Sequence, residues 1–197
     1  MKIALIGSTG TIGGAVATIL QARHEIITIG NRGGQLQVDL ASPPSIRTLY
    51  AAIGMVDAVV CTAGQAKFGP LAQLTDSDFE VGLHNKLMGQ VDIVRYGIDH
   101  VLDGGSFTLT GGTLARHPTP GSAAISLVNG ALEAFVRAAA LEMPRGIRIN
   151  VVSPGWVSET LAAMGREPAL GTPASEVALD YVVSVEGSDS GRVFGPA

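Results

Sequence analysis

An apolar run, Lys2-Ile3-Ala4-Leu5-Ile6, passes directly into Gly7-Ser8-Thr9-Gly10-Thr11-Ile12-Gly13 and then into a small-residue helical pattern. A strand that turns through glycines straight into a helix leaves few architectures open. Gly7 suits the tight turn, Gly10 lets the backbone approach a ligand, and Gly13 lets the helix lie close against the strand. The unpaired N–H groups of the first helical turn face the same point and attract an anion. Glycines at this spacing can serve backbone geometry alone, but their place between strand and helix favours the pyrophosphate of a dinucleotide.

The rest of the chain repeats the alternation. Helix Thr11 to Ala22 is followed by a strand, His24 to Ile29, which ends in the glycine loop Gly30-Asn31-Arg32-Gly33-Gly34, a second cofactor candidate. Leu36 to Leu40 reads as a short strand carrying Asp39, Ser42 to Ile53 as a helix opened by two prolines, and Val56 to Cys61 as a buried strand. Thr75-Asp76-Ser77-Asp78 caps a long helix predicted to run to about Leu102; a strand over Ser106 to Thr110 follows and breaks at Gly111-Gly112. Ser122 to Met143 is the next long helix and Gly146 to Val152 the next strand, stopped by Ser153-Pro154-Gly155. A helix from Thr172-Pro173 and a last strand, Arg192 to Phe194, complete the order. This order predicts an α/β fold, a doubly wound parallel sheet with helices on both faces and the ligand crevice at the carboxyl edge of the strands.

Hydrophobic residues at 46% and charged residues at 15% suit a sheet buried on both faces, and 197 residues suit one domain spanning 1–197. A net charge of −4 with scattered Lys and Arg argues against nucleic acid or an anionic membrane as partner, and no apolar stretch is long enough to cross a bilayer. The single cysteine, Cys61, excludes an intrachain disulfide, and with no secretory signal the cytoplasm is the expected compartment. His24, His84 and His100 lack ligand spacing, so no metal is expected.

With these segments in order, the chain resembles the short-chain dehydrogenase/reductase family over essentially its whole length. The resemblance rests on Gly7 to Gly13, on Cys61-Thr62-Ala63-Gly64 where the family has Asn-Asn-Ala-Gly, on Asn129-Gly130-Ala131-Leu132-Glu133-Ala134-Phe135, and on Gly146 to Gly155. It implies a seven-stranded Rossmann sheet and a nicotinamide dinucleotide. The pyrophosphate would lie at Gly7, Ser8, Thr9, Gly10, Thr11, Ile12 and Gly13, and the adenine near Asp39. The ribose would lie near Ala63 and Gly64, and the nicotinamide amide near Pro154, Gly155, Trp156 and Val157. Asn31 and Arg32 stand in a loop without the acidic residue that holds an NAD ribose, and an Arg there pairs with a 2′-phosphate, so NADP is expected over NAD.

The family's catalytic Ser, Tyr and Lys do not carry over. Alignment on the family's helix places Gly112 near the Ser position, Ile125 at the Tyr position and Asn129 at the Lys position. Lys86 falls where the family commonly has a fourth catalytic residue, Asn, and a partly desolvated amine there is a candidate acid or base. The alternative for Lys86 is a structural or surface lysine. Thr110, Thr113, Ser126 and His117 are weaker candidates, since Ser and Thr after strands often only complete turns and a loop His beside prolines is often solvated.

Two functions therefore stand. One is an oxidoreductase using NADP on a small carbonyl or alcohol with a non-standard proton donor; the other is a catalytically silent dinucleotide-binding sensor, scaffold or partner subunit. The short segment Ser158 to Gly171 predicts a small lid. A homodimer or homotetramer is expected through apolar helix faces carrying Val91, Val94, Val101, Leu127, Ala131, Ala134 and Ala138.

Overall fold

In a computed structural model, which describes residues 1–196, seven parallel strands form one sheet in the order β3-β2-β1-β4-β5-β6-β7. The strands are β1 (Lys2–Ile6), β2 (Glu25–Gly30), β3 (Leu36–Gln37), β4 (Val56–Cys61), β5 (Val101–Thr110), β6 (Arg148–Val152) and β7 (Val193–Phe194). The expected doubly wound architecture is what the chain adopts. In β1, Ala4 and Ile6 face one core while Ile3 and Leu5 face the other, so an unbroken apolar run is what a central strand buried on both faces requires.

The main helices are α1 (Thr11–Leu20), α2 (Pro43–Ile53), α3 (Asp76–Val81), α4 (Gly89–Gly97), α5 (Ala123–Ala139), α6 (Ser158–Ala163) and α7 (Ala174–Glu186). Side chains of α2, α4 and α5 bury one face of the sheet, and α1 with α7 buries the other. Ser42 caps α2, and Thr75 with Asp78 forms a capping box on α3. No helix among the described residues is long and apolar enough to cross a membrane. No group of three His, Cys, Asp or Glu side chains among them is arranged to hold a metal ion.

The segment expected as a single helix from Thr75 to about Leu102 is helical without interruption from Asp76 to His100 but changes pitch along the way. After α3 the chain widens into a π-helical segment, Gly82–Met88, then resumes as α4 and closes in a 3₁₀ turn at Ile98–His100. Glycines bracket the wide turn because neighbours come too close for side chains: a Cβ on Gly89 would lie 2.7 Å from Leu40 Cβ, and one on Gly82 would lie 3.3 Å from Val128 Cγ1. Val101 begins β5, paired with Val56 and wholly buried, rather than ending a helix. Val101 and Val94 therefore belong to the core and correct the expected association face. Leu127, Ala134 and Ala138 remain exposed along α5, with Ala131 half-buried beside them.

Gly13 is the tightest of the helix contacts, with its imagined Cβ only 2.0 Å from Gly7 O. Gly13→Ala must lift α1 off the turn, and we expect a loss of about 2 kcal/mol, read as a fall of roughly 4–8 °C in Tm. An unchanged Tm would contradict this packing.

Candidate active site

Strand order reverses between β1 and β4, and the chain turns outward on both sides of that point. The first turn is fixed by Gly7 N–H and Ser8 N–H donating to Ile29 O at 2.8 and 3.2 Å, by Ser8 Oγ donating to the same carbonyl, and by Gly10 N–H donating to Gly7 O at 2.9 Å. Gly7 takes φ +87°, a conformation costly for any side chain. Gly10 begins α1 without a side-chain cap, and the first turn holds no acid, so its N–H groups are open to an anion.

Beside this turn lies a cleft walled by Ile6, Val38, Leu40 and Ala63, with Asn31, Gln65 and Asn85 at its rim. Thr9, Asn31, Arg32 and Gly33 line an adjoining, more open hollow. An apolar slot, a glycine turn at a helix start and an adjacent guanidinium fit the parts of an adenine dinucleotide bearing a phosphate. Asp39, expected near the adenine, is exposed beside this cleft, and its carboxylate accepts from Ala41 N–H at 2.9 Å, closing a turn. Val38 and Leu40 face the cleft in its stead, as the two-residue alternation of extended chain dictates.

Further along the edge a cavity of about 270 Å³ brings together Lys86, Thr113, Ile125, Asn129, Gly112 and the segment Pro154 to Val157, with Ile12 at its inner wall. The π turn explains how Lys86 arrives there. Its neighbour Asn85 faces the cleft and Lys86 faces the cavity, so the widened turn presents consecutive side chains to the two halves of one crevice. Lys86 Nζ donates to Gly111 O at 3.0 Å. Its stem passes Gly64 so closely that a Cβ there would lie 2.7 Å from Lys86 Cγ.

Burial lowers the Lys86 pKa from its ordinary value to about 8, opposed weakly by Cys61. Burial also raises the Cys61 thiol to about 12, so it remains a neutral neighbour rather than a counter-ion. Asn129 is 2% exposed, and its Oδ1 has no hydrogen-bond partner among the described residues. Ile125 supplies an apolar wall.

The other candidates are placed differently. Thr110 also lines the cavity, but its hydroxyl donates to Cys61 O at 2.6 Å and meets Tyr181 Oη at 2.7 Å. Gln90 clamps the Thr110 backbone through both its N–H and C=O, so this threonine fixes the end of β5. Ser126 pairs with Ser122 Oγ at 3.0 Å and His117 stands exposed on its loop; neither lines the cavity. Thr113 does line it, anchored by its N–H to Pro154 O. Trp156 forms the mouth, with Phe68 edge-on at 6.3 Å and the Arg166 guanidinium 5.0 Å above its ring.

Sequence reasoning passed over Gln65, Asn85, Gln90 and Glu133. Glu133 had a legible signal: it follows Asn129 by four residues and so shares its side of α5. The geometry around Lys86 makes a direct prediction. Gly64→Ala will push the Lys86 stem aside, and a crystal structure of the variant will show Nζ out of hydrogen-bond distance of Gly111 O; an unmoved bond would contradict the close packing.

Comparison with known proteins agrees with this architecture. Residues 14–182 match the family model described as Enoyl-(Acyl carrier protein) reductase. The chain is 30% identical over 141 residues to hydroxynaphthalene reductase arp2 of Aspergillus fumigatus, a match covering 69% of this chain and 52% of that protein. It is 27% identical over 193 residues to versicolorin reductase 1 of Aspergillus parasiticus, covering 84% and 74%. The match to the first of these thus spans about half of that relative's length. Among solved structures, the protein lin1944 from Listeria innocua superposes with a TM-score of 0.96 at 42% identity over the whole of both chains. A small-chain dehydrogenase in complex with NADPH shares the fold, with a TM-score of 0.88 at 24% identity over 100% of this chain and 96% of the other. With the seven-stranded order, the glycine turn and the family match over most of its length, the chain belongs to the short-chain dehydrogenase/reductase family.

Proposed function

We propose that the protein is an NADP(H)-dependent oxidoreductase that interconverts a small carbonyl compound and its alcohol, with Lys86 as proton donor and acceptor. The carrying observation is the Lys86 amine, held inside the cavity with a pKa brought down to about 8. Relatives named as reductases support the direction of the chemistry.

The residues to hold the cofactor are Gly7 to Gly13 for the pyrophosphate, Arg32 with Thr9 and Asn31 for a 2′-phosphate, Ala63 and Gly64 for ribose, and Pro154 to Val157 for the nicotinamide amide. When bound, NADPH supplies a hydride, and NADP⁺ accepts one. In reduction, the Lys86 ammonium gives one proton to the carbonyl oxygen, becomes a neutral amine and regains a proton from water entering the cavity mouth. In oxidation the neutral amine takes the hydroxyl proton. A pKa near 8 keeps both forms accessible close to neutrality. Gly111 O orients the amine, Asn129 offers its amide to a polar group of the ligand, and Ile125 excludes water from one side.

The same cavity supports a second reading, a silent dinucleotide-binding sensor or scaffold, because Gly112 and Ile125 carry no group able to transfer a proton. We further propose a cytoplasmic homodimer or homotetramer using the exposed α5 face at Leu127, Ala134 and Ala138. Sedimentation giving a concentration-independent monomer would reject that assembly.

The two functional readings separate in a panel of small aldehydes and ketones monitored by NADPH oxidation. Lys86→Met should lower turnover about 100-fold or more while leaving NADPH binding close to the parent's. In the parent, reduction requires the ammonium, so its rate should fall as pH rises through about 8, whereas alcohol oxidation should rise over the same range. Turnover unchanged in Lys86→Met would remove Lys86 from the chemistry, and a panel without turnover would favour the silent reading. Arg32→Ala should weaken NADPH binding by roughly tenfold or more, the worth of a charge-assisted phosphate contact, and leave NADH binding unaltered. Equal losses for both would exclude Arg32 as the phosphate ligand.

A further inference from the structure

One peptide unit beneath the cavity is gripped from both ends. The C=O of Gly111 accepts from Lys86 Nζ at 3.0 Å, and the N–H of the same peptide bond, carried by Gly112, donates to Ser153 Oγ at 3.2 Å. Because a peptide is planar, the direction of its C=O is set by whatever holds its N–H. Ser153 is itself fixed: it is fully buried, and its hydroxyl donates to Glu133 Oε1 at 2.8 Å. Both glycines are needed for this fit, since a Cβ on Gly111 would lie 2.6 Å from Ser153 Oγ and one on Gly112 would lie 2.7 Å from Asn129 Nδ2.

Glu133 is 3% exposed, and a carboxylate so placed loses hydration that only paired charges and hydrogen bonds restore. Arg116 Nε stands 3.5 Å from Oε1 and Arg137 Nη1 stands 3.8 Å from Oε2, both reaching in from partly exposed positions. The carboxyl group is thus paired on both oxygens, aimed at Ser153 and held off the cavity itself. An apolar residue would fill the same space without fixing which way the Ser153 hydroxyl points.

We propose that Glu133 is a positioning residue for Lys86, acting through the Ser153 hydroxyl and the Gly111–Gly112 peptide. The inference rests on the reading of Lys86 as proton donor, but the link from Glu133 to the amine can be measured without turnover. Glu133 makes Ser153 an oriented donor; Ser153 thereby keeps Oγ lone pairs turned to Gly112 N–H; the peptide plane then presents Gly111 O to the ammonium. The titratable groups near this chain are Arg116 and Arg137 around Glu133, and the neutral Cys61 thiol beside Lys86.

The chain contains only three lysines, Lys2, Lys67 and Lys86, so side-chain NMR of isotopically labelled lysine in the cofactor-free protein resolves each titration, with Lys86→Arg giving the assignment. Ser153→Ala leaves the Glu133 charge in place and cuts the link; Glu133→Gln removes the charge and keeps an acceptor for Ser153; Glu133→Ala removes both. We expect Ser153→Ala and Glu133→Ala to lower the Lys86 pKa by about half a unit or more, because the oriented carbonyl that favours the ammonium is lost. Glu133→Gln should stay within about 0.2 unit of the parent, since its acceptor persists. Should Glu133→Ala fail to fold, the Ser153→Ala and Glu133→Gln pair decides alone. A parental titration in Ser153→Ala, or a shift in Glu133→Gln as large as in Ser153→Ala, would overturn the proposal, the latter by showing a plain charge effect. Retained turnover in Lys86→Met is a separate result: it would refute the proton-donor role and leave the titration to judge the positioning.

Discussion

The crevice depends on how far α1 can be drawn down onto the end of β1. Gly13 permits an approach in which no Cβ would fit beneath Gly7 O, and Gly7 makes the turn at positive φ that leaves the first helical N–H groups facing outward. On the other side of the switch point, Thr62 Oγ1 donates to Ile6 O at 3.0 Å and ties the turn after β4 to the end of β1. The segments leaving two adjacent, paired parallel strands thus diverge over a fixed gap. The cleft and the cavity both open from that gap, so packing of a small-residue helix on a buried strand sets the stage for everything at the carboxyl edge.

Within that frame, a change of helical pitch sets which side chains reach the crevice. The π-helical turn between α3 and α4 swings Lys86 inward past Gly64, while Asn85 Oδ1 beside it accepts from Gln65 N–H at the cleft. Wide turns of this kind recur at functional sites because they re-aim one residue at modest cost in helical bonding. The burial that follows brings the amine into a useful range, and the Gly111 carbonyl gives it a direction.

Much of this was legible in the residues. Alternating apolar runs and glycine breaks showed the succession of strands and helices along the chain, and the glycine turn marked the carboxyl edge of the sheet. The change of pitch within the long helix was not read, because α and π turns share the same residue preferences. That Val38 and Leu40, on either side of Asp39, would take the inward positions was not read. Val101 looked like part of an outer face only while the helix was thought to reach it, whereas Val94 is helical as expected but lies on the inner face of α4. Glu133 carries its meaning through Ser153, twenty residues away, a pairing that no local pattern announces.

The central claim is that Lys86, reached through the π turn, is the group that delivers the proton. A crystal structure of the protein with NADP⁺ and an unreactive carbonyl analogue tests it most directly. The account predicts the Lys86 amine within hydrogen-bond reach of the analogue's oxygen, with Gly111 O still orienting it. An analogue oxygen bound instead by Thr113 or by water, with Lys86 turned away, would contradict it.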